Sequence, residues 1–275
     1  MRAINKTLIL TGLSIVFITS IACKKSKAVK QEPIEEKPAV TDYRPAHIIK
    51  DYNLFWQDEF NGSTLDLTKW KYRAEGSVRQ HATVSRNTIS LDGKGNLLIK
   101  VTKDESGKYY VGQTTTDGLF STRYGYFECR AKMNSSIGPH VAFWLQSNTM
   151  GTTTNDPANN GVEIDIFEYH RKTPDKINHN LHWDGYGTAH KTKETVVAAK
   201  NIDDGQFHTF ALEWTETQYV FYVDGIETWR TTEAISKIPE YIILSTELTG
   251  YGGTPSLGTY PDQITFDYVR VYKPK

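Results

Sequence analysis

Cysteine is scarce in this chain: only Cys23 and Cys129 occur among 275 residues. A disulfide framework needs pairs, so the body of the chain must hold together without one. An excess of charge of either sign is also missing, since 32 lysines and arginines balance 32 aspartates and glutamates. That balance argues against nucleic acid or an anionic membrane as partner, and a neutral partner fits better. Long helical periodicity and internal repeats are absent, and no apolar run comfortably reaches the roughly 20 residues of a membrane span. Aromatic residues, by contrast, are plentiful, with six tryptophans and sixteen tyrosines. Their faces suit hydrophobic cores and the apolar faces of sugar rings alike.

The N-terminus reads as an export signal: Arg2 and Lys6 precede the mainly apolar run Thr7 to Ala22, and Ser20-Ile-Ala-Cys23 follows. It resembles the signal of a bacterial lipoprotein, with residues 1–22 removed and Cys23 lipidated, although Ser20 stands where a larger aliphatic residue is usual. An ordinary secretory peptide and an uncleaved anchor are the alternatives, and each takes the protein out of the cytoplasm. Residues 23–46, rich in Lys and Glu with Pro33, Pro38 and Pro45, read as a flexible tether. Residues 47–275 are expected to form one domain, acting as a monomer and touching the membrane only through the lipid. Cys129 lies between Glu128 and Arg130, with Phe127 and Ala131 on its own face, so it reads as a buried structural thiol.

Short strands dominate the pattern. Leu97–Thr102, Tyr124–Lys132, His140–Gln146 and Phe266–Tyr272 alternate or run apolar over strand lengths. Asp224-Gly225 between Tyr219–Val223 and Ile226–Arg230 is a hairpin turn signal. The glycine-rich stretches Asp92–Gly95 and Gly250–Gly253 lack the strand-to-helix setting of a phosphate loop and read as turns. The fold class is all-β, a sandwich of antiparallel sheets.

One segment stands out, Glu163-Ile-Asp-Ile-Phe-Glu168, which sets three carboxylates into a β-branched and aromatic run. A regular strand would place Glu163 and Asp165 on one face and drive Glu168 into the core, where an unpaired charge is costly. One β-bulge near Ile166 and Phe167 restores Glu168, and His170 after it, to the carboxylate face. Retaining cleavage of a glycosidic bond needs one carboxylate to attack and one carboxylic acid to protonate the leaving oxygen. Glu163 and Glu168 can supply both, if the sheet curves to bring them together, and Asp165 between them would push their titrations apart. The same parity puts His140, Trp144, Asn180, His182 and Glu247 forward as substrate-binding residues, with Trp144 as a sugar platform. A zinc site of His170, His182 and His190 has no supporting ligand spacing and is rejected.

The carboxylate segment resembles the bulged active-site motif of glycoside hydrolase family 16. Trp56–Asn61, Asp66–Trp70, Tyr124–Arg130, Ala142–Trp144, Phe207–Trp214, Tyr222–Gly225 and Asp267–Tyr272 are similar to family segments in the same order. The resemblance implies a β-jelly-roll and endo-acting, retaining hydrolysis of a β-linked glucan or galactan. It makes Glu163 the nucleophile, Glu168 the acid/base and Asp165 their assistant, and it places His182 near the leaving-group sugar. Many members acting on β-1,3-glucan carry tryptophan and proline where this chain has His140-Val141. Glucan and galactan both stay open, with β-1,3 linkage preferred, and a glycan-binding lectin or a transglycosylase are the alternative functions. No cofactor is required, but Asp267 resembles a ligand of a structural calcium ion in some relatives.

Overall fold

The computed structural model describes residues 41–275, so the expected signal, Cys23 and most of the expected tether lie outside the described residues. The domain begins earlier than expected. Residues 46–51, Ala46–Asp51, form a short helix, which starts after Pro45 and gives way to extended backbone at Tyr52. Ile48 is its one buried residue and packs with Tyr126, Tyr222 and Tyr272. Before it, the Arg44 guanidinium lies 4.3 Å from the Tyr272 ring centroid, so the end of the expected tether is already part of the sandwich.

Two sheets face each other. One runs in the order Lys191–Ala198, Lys176–Trp183, Glu163–His170, Gly138–Gln146, Tyr241–Gly252, Gln113–Thr115, Lys71–Tyr72, with antiparallel pairing throughout. The second is built around Gly125–Lys132, flanked by His208–Trp214 and Asp262–Pro274. It departs from the antiparallel expectation once, where Ala82–Val84 pairs in parallel with Tyr109–Val111. Alternation builds the core, because every second side chain points inward. Val141, Phe143, Leu145, Ile164, Leu181 and Leu244 from the first sheet meet Phe127, Cys129, Phe210 and Val269 from the second in one cluster. Cys129 is fully buried, as its neighbours predicted. In the 224–225 turn both residues have positive φ, 47° and 74°. A Cβ on Gly225 would also lie 2.0 Å from the Tyr43 carbonyl oxygen, so glycine is required there twice over.

The bulge falls where strand parity demands it. Against the neighbouring strand, Phe143 faces Phe167 while the next residue, Trp144, faces Asp165, which leaves Ile166 as the extra residue. On the other side the register likewise breaks between Asp165, opposite Asn180, and Glu168, opposite Asn178. Ile166 and Phe167 are both fully buried, and the Phe167 ring lies 4.2 Å from that of Phe210 across the sandwich. Phe167→Ala should cost about 3–5 kcal/mol through the cavity left behind. Urea unfolding followed by tryptophan fluorescence measures this, and a loss below about 1 kcal/mol would show that the ring does not anchor the bulge.

The glycine-rich segment before Gly253 differs from expectation. The strand continues through Tyr251 to Gly252, and only the bond from Gly253 N–H to the Gly250 carbonyl closes a turn. The continued strand carries Tyr251 to the wall of a cavity.

Candidate active site

The outward positions of the first sheet converge on a cavity of about 520 Å³ that holds His140, Trp144, Glu163, Asp165, Glu168 and Glu247. Strand pairing does the aligning. Glu163 lies opposite His182, Asp165 lies between Trp144 and Asn180, and His140 lies between His170 and Glu247. Asn180 and His182 reach the carboxylates from the adjacent strand.

Each carboxylate has its own partners. Glu163 Oε2 accepts hydrogen bonds from Gln146 Nε2, at 2.9 Å, and from the Tyr186 hydroxyl. Gln146 is held in turn by Tyr241 Oη, which donates to Gln146 Oε1 at 2.9 Å. Glu168 Oε1 lies 2.7 Å from His140 Nε2, and Glu168 Oε2 accepts from Asn180 Nδ2. Asp165 Oδ2 lies 3.5 Å from His182 Nε2, and the remaining ring nitrogen of His182 is 3.0 Å from His190 Nε2. Glu247 is occupied by Gln113 Nε2 at 2.8 Å and Arg79 Nη2 at 3.3 Å.

The electrostatics separate three otherwise similar acids. Burial pushes Glu163 up to about 7, against the stabilising Tyr186 hydrogen bond and with the Glu168 charge adding to the rise. Burial holds Asp165 well above the ordinary carboxylate range, and the charges of Glu168 and Glu163 raise it further. Burial also raises Glu168, but the charge and contact of His140 outweigh it and bring Glu168 below its usual value. His182 is depressed by burial and favours its neutral form. Three acids in one small, buried cluster titrate as a set and cannot all be ionised cheaply. The shared proton therefore favours the Glu163–Asp165 end over Glu168.

Trp144 is placed in the cavity wall, but little of it is free to act as a platform. The residue is only 7% exposed, its Nε1 donates to Ser245 Oγ at 3.1 Å, and the Arg73 guanidinium lies 5.1 Å from its ring centroid. Among the described residues, the group of side chains close enough to share a metal ion is Glu163, Asp165 and His182, with one ligand atom of each within 4.8 Å of the others. Asp267 is not in that group. Its buried carboxylate accepts from Arg130 Nη1 at 2.7 Å. Arg73, Tyr186 and Tyr251 also line the cavity and were not legible in strand parity. Arg73 lies outside any patterned strand, Tyr186 sits in the loop after Trp183, and Tyr251 lies among glycines.

Tyr186→Phe should lower kcat/KM by about tenfold at or below neutral pH, as expected for losing a hydrogen bond to a charged group worth about 1.5–3 kcal/mol. Its acid limb should move to higher pH, because the hydroxyl is what lowers Glu163. A pH–rate profile with an unmoved acid limb would sever Tyr186 from Glu163.

The family model for glycosyl hydrolases family 16 matches residues 76–270. Among curated proteins, the glucan endo-1,3-beta-glucosidase A1 of Niallia circulans is 27% identical over 88% of this chain and 42% of its own length. The keratan-sulfate endo-1,4-beta-galactosidase of Sphingobacterium multivorum is 29% identical over 97% of this chain and 66% of its own length. The chain thus spans less than two thirds of either relative. Among solved structures, the laminarinase from Flavobacterium sp. UMI-01 superposes with a TM-score of 0.68 at 26% identity, covering 80% of this chain and all of that one. A match that runs from residue 76 through the bulge and into the last strand leaves one assignment, and this chain belongs to family 16 of the glycosyl hydrolases.

Proposed function

We propose that the chain is an endo-acting, retaining glycanase that cuts internal β-linkages, β-1,3 foremost, in a neutral glucan or galactan. The observation that carries this reading is the bulge that returns Glu168 to the face of Glu163 and Asp165. In the first half-reaction Glu163 attacks the anomeric carbon while Glu168 protonates the departing oxygen. In the second, Glu168 takes a proton from water as that water displaces Glu163 from the sugar. A proton kept by Asp165 lets Glu163 ionise beside it. Gln146 and Tyr186 both hold the Glu163 oxygen and so fix its direction of attack.

Incubation with laminarin, mixed-linkage β-glucan, β-1,3-galactan and an agar-type galactan, followed by product sizing, tests substrate and endo-action together. Mid-sized oligosaccharides from the β-1,3 polymers are expected. Binding without any cleavage would instead mark a lectin. The names of the relatives include an endo-1,3-beta-glucosidase and an endo-1,4-beta-galactosidase, which is why glucose and galactose polymers both belong in the panel.

Export and lipid anchoring through Cys23 form part of the same proposal, supported by the charged start and apolar run that precede it. Wild-type protein should fractionate with membranes and Cys23→Ser should not. Equal partition of the two would rule out the anchor.

A further inference from the structure

His140 stands on the strand paired with that of Glu168, and its ring is turned onto that carboxylate. Its Nε2 lies 2.7 Å from Glu168 Oε1 as a close ion-pair contact. The ring nitrogen is buried and makes no hydrogen bond to any other group. The other carboxylate oxygen is taken by Asn180. The edge-on ring of Tyr251 braces His140 at 5.1 Å and His170 at 4.6 Å.

The charged groups around the ring leave Glu168 as its proton partner. Glu247, opposite it on one side, is already engaged by Gln113 and Arg79. His170, opposite it on the other, is depressed by burial and favours the neutral form. Glu163 and Asp165 lie further along the neighbouring strand, and His182 lies beside Asp165. Burial alone would depress His140, but the Glu168 charge and contact outweigh it, with Glu247 and Glu163 adding, and the imidazole is held above its ordinary value.

We propose that His140 is the positioning residue of the acid/base: it keeps the proton of Glu168 in the empty cleft and returns it when substrate displaces water. The proposal rests on Glu168 being the acid/base. An ion pair loses its solvent support in a drying cleft, and a neutral imidazole with a neutral carboxylic acid becomes the cheaper arrangement. The proton then crosses from Nε2 to the carboxylate. Glu168 passes it to the glycosidic oxygen, which keeps the electron pair of the breaking bond to the anomeric carbon as Glu163 forms its own bond there. The pair now carries no proton. Water next attacks the glycosyl-enzyme, its hydroxyl going to the sugar and its proton to Glu168, and the pair returns to its starting charge when product leaves.

Two measurements test this. With whichever polysaccharide of the panel the wild type cleaves, His140→Gln should lower kcat at pH 7 by about tenfold, a modest part of what an acid/base contributes, with KM changed less than about twofold. Its alkaline limb should move to lower pH, because the last proton is then held by a carboxyl group alone. Independently of turnover, nitrogen-15 NMR should show the His140 ring titrating above the ordinary histidine range in the wild type and falling well below that position in Glu168→Gln. An alkaline limb that stays in place in His140→Gln, or a ring titration that ignores Glu168→Gln, overturns the proposal. A wild type that cleaves nothing in the panel overturns the glycanase reading instead, and the ring titration then still decides whether the pair exists.

Discussion

Glu163→Ala is expected to lose about 10⁴-fold or more in polysaccharide cleavage, the scale seen when a covalent nucleophile is removed. The fold should survive. Glu163 and its hydrogen-bond partner Tyr186 line the cavity, and its other partner, Gln146, is a polar residue outside the hydrophobic core cluster. Circular dichroism and the unfolding midpoint should therefore match the wild type, and truncation also removes a buried carboxylate that is costly to ionise. Added azide supplies the sharper readout. A small anion entering the vacated space attacks the anomeric carbon from the nucleophile's side, and an activated aryl glycoside should yield a glycosyl azide of inverted configuration. Undiminished cleavage by the variant, or azide products of retained configuration, would remove Glu163 from the nucleophile role.

Glu168→Gln should reduce polysaccharide cleavage by about 10²–10⁴-fold, the usual contribution of a positioned acid/base. The loss should depend on the leaving group: a nitrophenol departs without help, so a burst of phenol should persist while breakdown of the intermediate slows. The pH dependence follows from which protonation state each group needs. Glu163 must be ionised to attack and its titration is raised to about 7 by burial, so kcat/KM should fall as pH drops through that region. On the other side, the His140–Glu168 pair must hold a proton to protonate the leaving oxygen, so activity should fall as pH rises and that proton is lost. The wild type is thus expected to give a bell, and Glu168→Gln should lose its alkaline limb. An alkaline limb that persists in this variant would belong to some other group.

Much of this site was legible before folding, for a specific reason. Period-two alternation is a local rule, and a charged residue that violates it, as Glu168 does, reports a bulge without any tertiary information. The same rule placed Phe143, Leu145, Ile164 and Leu181 in the core and set His140, Trp144, Asn180 and Glu247 on the other face. What alternation cannot carry is distance across strands and the route of loops. Tyr186 reaches Glu163 from a loop, and Arg73 covers Trp144 from a residue beyond the Lys71–Tyr72 edge strand. No pattern within either segment signals such a contact. The same limit explains Asp267, whose partner Arg130 is 137 positions away in sequence and meets it only because their strands are adjacent.

By itself, then, the sequence determined the sandwich class, the bulge and the common face of three carboxylates, because these follow from side-chain parity along a single strand. Tertiary structure alone decided which carboxylate would carry the proton. That choice depends on burial and on a 2.7 Å approach between His140 and Glu168, two residues of paired strands whose charges alter each other's titration strongly only at close range.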